Sequence, residues 1–146
     1  PGIPISAAAQ AVNGITKEMT ADSPTFKQVF PEFVAFIKDT VLIAHNAGFD
    51  VRFIKAEIKR NNLSPLPNTV LDTLKLSRAW FKNAKTYNIK SLVKYLNIKE
   101  GTFHRALVDS EYTRDIFLIG IKKNPSVSTL KALVKISGNK TFKFKK

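Results

Sequence analysis

Two carboxylates and a histidine occupy positions from which they could take part in metal-assisted hydrolysis. Residues 44–50 read Ala-His-Asn-Ala-Gly-Phe-Asp and follow an apolar run. Asp50 is therefore expected just past the carboxyl end of a strand, where open α/β sheets bind their ligands. His104 lies fifty-four residues beyond Asp50, and Asp109 follows it after four intervening residues. Carboxylate oxygens bind hard divalent ions, and histidine can transfer a proton near neutral pH.

Each of these residues also has a simpler interpretation. Asp50 could cap or stabilise the start of the helix that follows it. His104 could be a surface or capping histidine. Asp109 could pair with Arg105 or Arg114 on a solvated helix face. The types and spacing of these residues alone leave both interpretations open.

Hydrophobic periodicity predicts the strands and helices that must position these residues. The apolar run at 41–44 lacks alternation, which is typical of a strand buried on both faces. A second short strand is expected at 70–72, where Asp72 is well placed to cap the next helix. Helices are predicted at about 24–37, 49–59, 74–80, 89–96, 106–121 and 126–136.

Individual residues refine these elements. Ser23 followed by Pro24 is typical of an N-cap with proline at the first helical position. Pro31 is expected to break or restart that helix, because proline lacks an N–H group. Phe53 and Leu107 are predicted to face the core from their helices.

Length and composition favour one domain with a substantial core. The chain has 146 residues, of which 44% are hydrophobic, and no cysteine, so a disulfide scaffold is excluded. No apolar stretch approaches the roughly 20 residues of a membrane span. We therefore expect no membrane partner and a cytoplasmic location.

The formal net charge of +13 predicts a polyanionic partner, since Lys and Arg that neutralise phosphates release counterions. The excess is concentrated near the end of the chain. Residues 116–146 contain eight lysines and no Asp or Glu. Such a run could instead be only a solvated face or a frayed terminus.

Four motifs together resemble the DEDDh exonucleases of the ribonuclease H-like fold, most closely the proofreading epsilon subunits of bacterial DNA polymerase III. In chain order they are Gly14-Ile15-Thr16, residues 45–50, residues 70–74 and His104-x4-Asp109. The resemblance runs from residue 1 to about residue 120. It implies an α/β fold with an exonuclease domain at 1–121, followed by a basic C-terminal extension at 122–146 that could form a short helix.

The resemblance assigns roles to the three site residues. Asp109 would bind the first of two Mg²⁺ or Mn²⁺ ions, and Asp50 would support the ions largely through water. His104 would be the general base that deprotonates the attacking water.

The resemblance also assigns substrate contacts. Gly14, Ile15 and Thr16 would wedge against the terminal base, while Asn46 and Phe49 would face the terminal nucleotides. An aromatic residue can stack on a base in this way. Phe49 could equally pack in the core.

The predicted sheet is too small for the helices around it. In the family, three strands precede the part that matches residue 1. The first of them carries an Asp-x-Glu and pairs with the equivalent of the Val41 strand. No Asp-x-Glu precedes Val41 in this chain. We therefore expect an N-terminally incomplete fold in which the Val41 strand has one unpaired edge.

Three functions remain open at this stage. The first is a 3′-to-5′ DNA exonuclease of the proofreading type, with a polymerase subunit as a possible partner. In that case we expect the 146-residue chain by itself to be inactive. The second is an RNA-directed exonuclease of the same fold. The third is a noncatalytic module that binds nucleic acid or a polymerase.

Overall fold

The computed structural model describes residues 4–99, 106–138 and 140–142. The chain divides into two compact units, unit 1 at Pro1–Lys38 and unit 2 at Asp39–Lys146. This division differs from the single domain expected from chain length. The separate prediction of a domain at 1–121 with an extension at 122–146 stays a prediction.

Unit 1, as described from residue 4 onward, contains two helices and a short 3-10 turn between them. They are α1 (Ala7–Asn13), the turn at Glu18–Thr20, and α2 (Phe26–Ile37). The side chain of Thr25 accepts a hydrogen bond from the N–H of Gln28, and the Gln28 side chain reciprocates in a capping box. The prediction of an N-cap at Ser23 was therefore wrong by two residues, because Thr25 satisfies the free N–H groups instead.

Pro31 lies inside α2 without ending it, so the predicted break or restart was wrong. The missing proline N–H deprives one carbonyl, four residues earlier, of its partner. That carbonyl belongs to Lys27, and both Lys27 and Pro31 are exposed. Water can therefore satisfy the carbonyl, and the helix continues.

Unit 2 contains a three-stranded sheet and five helices within the part of the chain that the structure describes. Its strands are β1 (Leu42–Ala44), β2 (Thr69–Asp72) and β3 (Lys140–Thr141). Its helices are α3 (Gly48–Arg60), α4 (Thr73–Trp80), α5 (Ile89–Tyr95), α6 (Ala106–Lys123) and α7 (Leu130–Ser137), with a 3-10 turn at Pro125–Val127.

The sheet has the order β1-β2-β3. β1 and β2 are parallel, with Leu42 opposite Val70 and Ala44 opposite Asp72. In the described residues β1 pairs only with β2, so the predicted unpaired edge is confirmed. All three β1 residues are half-buried rather than buried on both faces as predicted, because β1 lies at the edge of the sheet.

The third strand was not predicted. β3 pairs antiparallel with β2, with Lys140 opposite Val70, and the adjacent Phe142 is 2% exposed. The sequence at 141–145 alternates threonine or lysine with phenylalanine, a strand-like pattern that the high lysine content obscured. α7 packs against α4 and β2, so the lysine-rich segment contributes to unit 2.

The core of unit 2 lies around α4 and α6. Leu76, Leu92 and Ile116 are fully buried there, and Trp80 packs beside them. Phe53 and Leu107 are exposed at 63% and 73% of their surface, so the prediction that they face the core was wrong.

Candidate active site

The site is built where β1 and β2 end. Because the two strands are parallel and Ala44 pairs with Asp72, their carboxyl ends meet at the same edge of the sheet. β1 leads into the sequence motif at 45–50, and β2 leads directly into α4. Ligands of open α/β sheets bind at such an edge.

Asp72 connects the two segments that leave this edge. Its Oδ1 accepts hydrogen bonds from the N–H of Leu74 at 3.0 Å and of Asn46 at 3.2 Å. The first bond caps α4, as the sequence predicted. The second holds Asn46 in a left-handed conformation with φ of 65°, which asparagine tolerates better than most residues. Asp72 is only 3% exposed.

Asp50 is the third residue of α3, and its side chain is exposed. The N-cap of this helix is Ala47, and α3 has no side-chain cap, so Asp50 is not the N-cap. Its place in the first turn still allows its carboxylate to stabilise the start of the helix. Partial desolvation raises the pKa of Asp50, and the Asp72 carboxylate adds to this, while a hydrogen bond to its own backbone opposes them. Two carboxylates that interact in this way favour a nearby cation.

Asp109 lies in the first turn of α6 and is half-buried. Its backbone carbonyl accepts a hydrogen bond from the Thr113 hydroxyl at 2.8 Å. Of the two alternative ion pairs, the one with Arg114 is not found, because Arg114 pairs with Asp115 at 2.9 Å, and Arg105 lies outside the described residues. The convergence of Asp109 with Asp50 stays a prediction.

His104 lies outside the described residues, and its role as the general base stays a prediction. Without it, the described residues contain no group of three or more His, Cys, Asp or Glu side chains that could hold a metal ion. Asp50 and Asp109 still offer the hard oxygen donors that Mg²⁺ and Mn²⁺ prefer. The donor chemistry therefore fits such an ion.

The predicted wedge against the terminal base has a defined local geometry in unit 1. Gly14 ends α1 in the left-handed conformation, with φ of 68°. The N–H of Ile15 donates to Asn13 Oδ1 at 2.8 Å, and Thr16 Oγ1 accepts from the N–H of Met19 at 3.3 Å. The wedge role of Gly14, Ile15 and Thr16 stays a prediction.

The two other predicted substrate residues are both accessible. Phe49 is 61% exposed, so the alternative that it packs in the core was wrong. Asn46 is also exposed, and its side chain has no hydrogen-bond partner among the described residues. Both side chains can therefore reach a ligand, although the contacts with the terminal nucleotides stay predictions.

His45 is a site residue whose role the sequence analysis missed. Its Nε2 lies 2.8 Å from the carbonyl oxygen of Tyr87, and its Nδ1 lies 3.0 Å from Thr73 Oγ1. A carbonyl only accepts, so Nε2 carries the proton. In the neutral ring Nδ1 has no proton, so the single proton of the Thr73 hydroxyl is shared between Nδ1 and the carbonyl oxygen of Ala44, which lies 3.3 Å from Thr73 Oγ1. The position of His45 beside Asn46 in the motif was the available signal.

Desolvation favours the neutral form of His45. It lowers the pKa of His45, and the Arg78 charge contributes in the same direction. The hydrogen bond to the Tyr87 carbonyl and the Asp72 carboxylate oppose the shift. The ring therefore serves as a fixed neutral bridge between β1, α4 and the segment before α5.

A cavity of about 400 Å³ opens beside this histidine. It lies in unit 2 and has a mixed polar, aromatic and cationic lining, formed by His45, Asn46, Leu74, Arg78, Thr86, Tyr87 and Asn88. Leu74 and Arg78 are one turn apart on α4 and so share a face. That spacing could have identified Arg78 as a site residue from the sequence.

No helix in the described residues is long and apolar enough to span a membrane.

The chain is similar to DNA polymerases III of the PolC type and to exonucleases. A family model described as Exonuclease matches residues 1–117. The DNA polymerase III PolC-type of Caldanaerobacter subterraneus subsp. tengcongensis is 42% identical over 123 residues, which are 84% of this chain and 9% of that protein. The DNA polymerase III PolC-type of Thermotoga maritima is 33% identical over 150 residues, covering 97% of this chain and 11% of that protein.

A solved structure has the same fold. It is described as exonuclease X in complex with 5′ overhanging duplex DNA, and it matches with a TM-score of 0.73 and 29% sequence identity. The match covers 94% of this chain and 77% of that chain. By contrast, this chain spans about a tenth of the length of the curated relatives that it matches.

Proposed function

This chain belongs to the exonuclease family and has its ribonuclease H-like α/β fold, and on that premise we propose that it is a metal-dependent domain that removes nucleotides from the 3′ end of DNA. The observation that carries the proposal is the family match over residues 1–117, which includes Asp50, His104 and Asp109. The exposed position of Asp50 beyond the end of β1 is consistent with it.

Two observations favour DNA as the substrate. Exonuclease X binds duplex DNA in the solved structure, and the curated relatives are DNA polymerases. The net charge of +13 suits any nucleic acid. RNA is therefore the second candidate, and a DNA polymerase subunit is a candidate partner. A cytoplasmic location would suit a role in replication.

The proposed metal ligands and His104 have different roles in the reaction. Asp50 and Asp109 would hold Mg²⁺ or Mn²⁺, which would supply an acidified water and stabilise the leaving oxygen. His104 would accept the proton of the attacking water. The raised pKa of Asp50 means that protons compete with the metal for this carboxylate more strongly than at an isolated aspartate.

The free edge of β1 is the place for the family's Asp-x-Glu strand. β1 pairs with β2 on one side only in the part of the chain described, and such an edge accepts another strand. We expect full activity only when an Asp-x-Glu strand occupies this edge, because loss of part of a catalytic unit costs nearly as much as loss of all of it.

The test is digestion of a 5′-labelled single strand in Mg²⁺ or Mn²⁺, which yields a shortening ladder if the 3′ end is attacked. The 146-residue chain should bind the strand and hydrolyse it slowly or not at all. A version preceded by an Asp-x-Glu strand should digest it, and Asp109→Asn or Asp50→Asn should abolish that activity. Asp115→Asn is the matched control, because Asp115 lies on the same helix in an ion pair with Arg114.

The first of three informative outcomes would contradict only the need for an Asp-x-Glu strand, and the other two would contradict the proposed function. Robust digestion by the 146-residue chain that is lost in Asp109→Ala would mean that other ligands complete the site. Preference for an RNA strand of the same sequence would favour the second candidate. Binding without digestion by the extended version would favour a noncatalytic module.

A further inference from the structure

The cavity beside His45 contains polar side chains without partners. Asn46, Arg78 and Thr86 line it, and within the described ranges none of their side chains forms a hydrogen bond or an ion pair. The other polar side chains of the lining form hydrogen bonds. Asn88 Oδ1 accepts from the N–H of Ser91, and both ring nitrogens of His45 have partners.

Arg78 makes this cavity attractive to an anion. It is exposed on α4, and no carboxylate belongs to the cavity lining. Its guanidinium carbon lies 6.0 Å from the centre of the Tyr87 ring, a distance at which a cation and an aromatic face attract each other. The guanidinium is therefore held beside the cavity while its N–H groups stay available. A planar guanidinium suits a phosphate, which it can bind through two parallel hydrogen bonds.

The aromatic and aliphatic part of the lining is formed by Tyr87 and Leu74. Tyr87 is fixed by its hydroxyl, which donates to the carbonyl of Phe81 at 3.1 Å, and by its own carbonyl, which accepts from His45. Leu74 adds an aliphatic surface. A volume of about 400 Å³ falls in the usual range for small-molecule sites. The lining thus combines one cation, two hydrogen-bonding side chains and a fixed apolar wall.

We propose that this cavity binds one nucleoside monophosphate unit, with Arg78 on the phosphate, the Asn46 and Thr86 side chains on the sugar or base, and Tyr87 and Leu74 against the base. The unit can be a nucleotide within a DNA strand or a free 5′-mononucleotide. This inference rests on the proposed function, which supplies the nucleic acid. Asn46 lies four residues before Asp50, so an occupied cavity would position a strand near the catalytic segment.

The test uses binding without metal, so that no hydrolysis is needed. The 146-residue chain, labelled with ¹⁵N, is titrated with thymidine 5′-monophosphate, thymidine, inorganic phosphate and an oligothymidylate. The nucleotide should shift the amide signals of Asn46 and Thr86 and the side-chain signal of Arg78. Arg78→Gln should weaken nucleotide binding about tenfold, as expected for the loss of a charge-assisted hydrogen bond. It should also reduce the salt slope of oligothymidylate binding by about 0.7.

Two further variants control for charge and folding. Arg114→Gln removes the same charge from an exposed position on α6 and should leave nucleotide binding within about twofold. Thr86→Val keeps the charge and should weaken nucleotide binding without changing the salt slope. Matching spectra of the free variants establish that each is folded.

The outcomes separate this inference from the proposed function. Equal shifts with inorganic phosphate and the nucleotide, or equal effects of Arg78→Gln and Arg114→Gln, would overturn the inference even if the extended chain digests DNA. The expected shifts would support it even if digestion fails. Shifts of the same signals by oligothymidylate identify the strand as the source, whereas shifts by the mononucleotide alone identify the free nucleotide.

Discussion

His45 and Tyr87 are joined by a hydrogen bond from Nε2 to the Tyr87 carbonyl oxygen at 2.8 Å. The bond connects the residue after β1 to the segment that precedes α5, forty-two residues later. Since the pKa of His45 is lowered from 6.5, chiefly by desolvation, this connection involves a neutral ring.

The first prediction concerns pH. Below pH 6.5 the unfolded chain binds a proton at His45 more readily than the folded chain does, so stability should be lost as pH falls from about 6.5 through the folded pKa. The loss is at most about 1.4 kcal/mol per pH unit for one group. Urea unfolding at pH 8 and pH 5.5 should show a smaller difference in His45→Gln than in the unchanged chain. His104 is present in both proteins, so its contribution cancels. An identical pH dependence in the two proteins would refute the conclusion that His45 causes this loss of stability.

The second prediction concerns Asp72. Asp72→Ala removes the cap of α4 and leaves the N–H of Asn46 without its partner. The free energy of unfolding should fall by about 2 to 4 kcal/mol, from a lost cap and an unsatisfied N–H group. Asp72→Asn retains an oxygen acceptor and should lower the free energy of unfolding by less than about 1 kcal/mol. Urea unfolding monitored by Trp80 fluorescence measures both, and equal losses would show that the charge, rather than the hydrogen bonds, is what matters.

The third prediction concerns the contact of α6 with α4. A methyl group added at Gly120 would overlap the six-membered ring of Trp80, which is buried and packed against Phe117. Gly120→Ala should therefore destabilise the protein by about 1 to 3 kcal/mol, although alanine favours helices. Ser110→Ala, on the exposed side of the same helix, should be nearly neutral. The cost of Gly120→Ala should shrink in a Trp80→Leu background, and an unchanged cost there would argue against the overlap.

The fourth prediction concerns the lysines of α7. Lys131 and Lys135 are exposed, and if both contact phosphates, replacing them with glutamine should reduce the salt slope of single-strand binding by about 1.4. The Lys131→Arg, Lys135→Arg double variant keeps the charges and should retain the slope. Fluorescence anisotropy over a range of salt concentrations measures this slope. An unchanged slope in the glutamine variant would mean that these lysines form only a solvated face.

The sequence predicted the features that depend on nearby residues. The strands at β1 and β2 and the cap at Asp72 follow from short apolar runs and one side chain, and all three are present. Asp50 was placed correctly after β1 for the same reason. The choice of Ser23 as a cap failed because Thr25, two residues later, has a reciprocal partner in Gln28. This is a capping-box spacing that the sequence analysis did not use.

Features that depend on distant residues were not predicted. β3 forms only because β2 offers an edge to Lys140 and Thr141, and Phe53 is exposed although its spacing matches a buried face. The hydrogen bonds of His45 with Thr73 and Tyr87 connect residues that are 28 and 42 positions apart in the sequence. Such contacts leave no periodic signal in the sequence around His45.

The pairing of Val70 with Lys140 determines when the sheet can be completed during synthesis. At about 5 to 20 residues per second, roughly 4 to 14 seconds separate the synthesis of β2 from that of β3. During that interval, one edge of β2 is available to other nascent chains. The lysines that precede β3, at 122, 123, 131 and 135, would give the growing chain a positive charge that disfavours association with identical copies on neighbouring ribosomes.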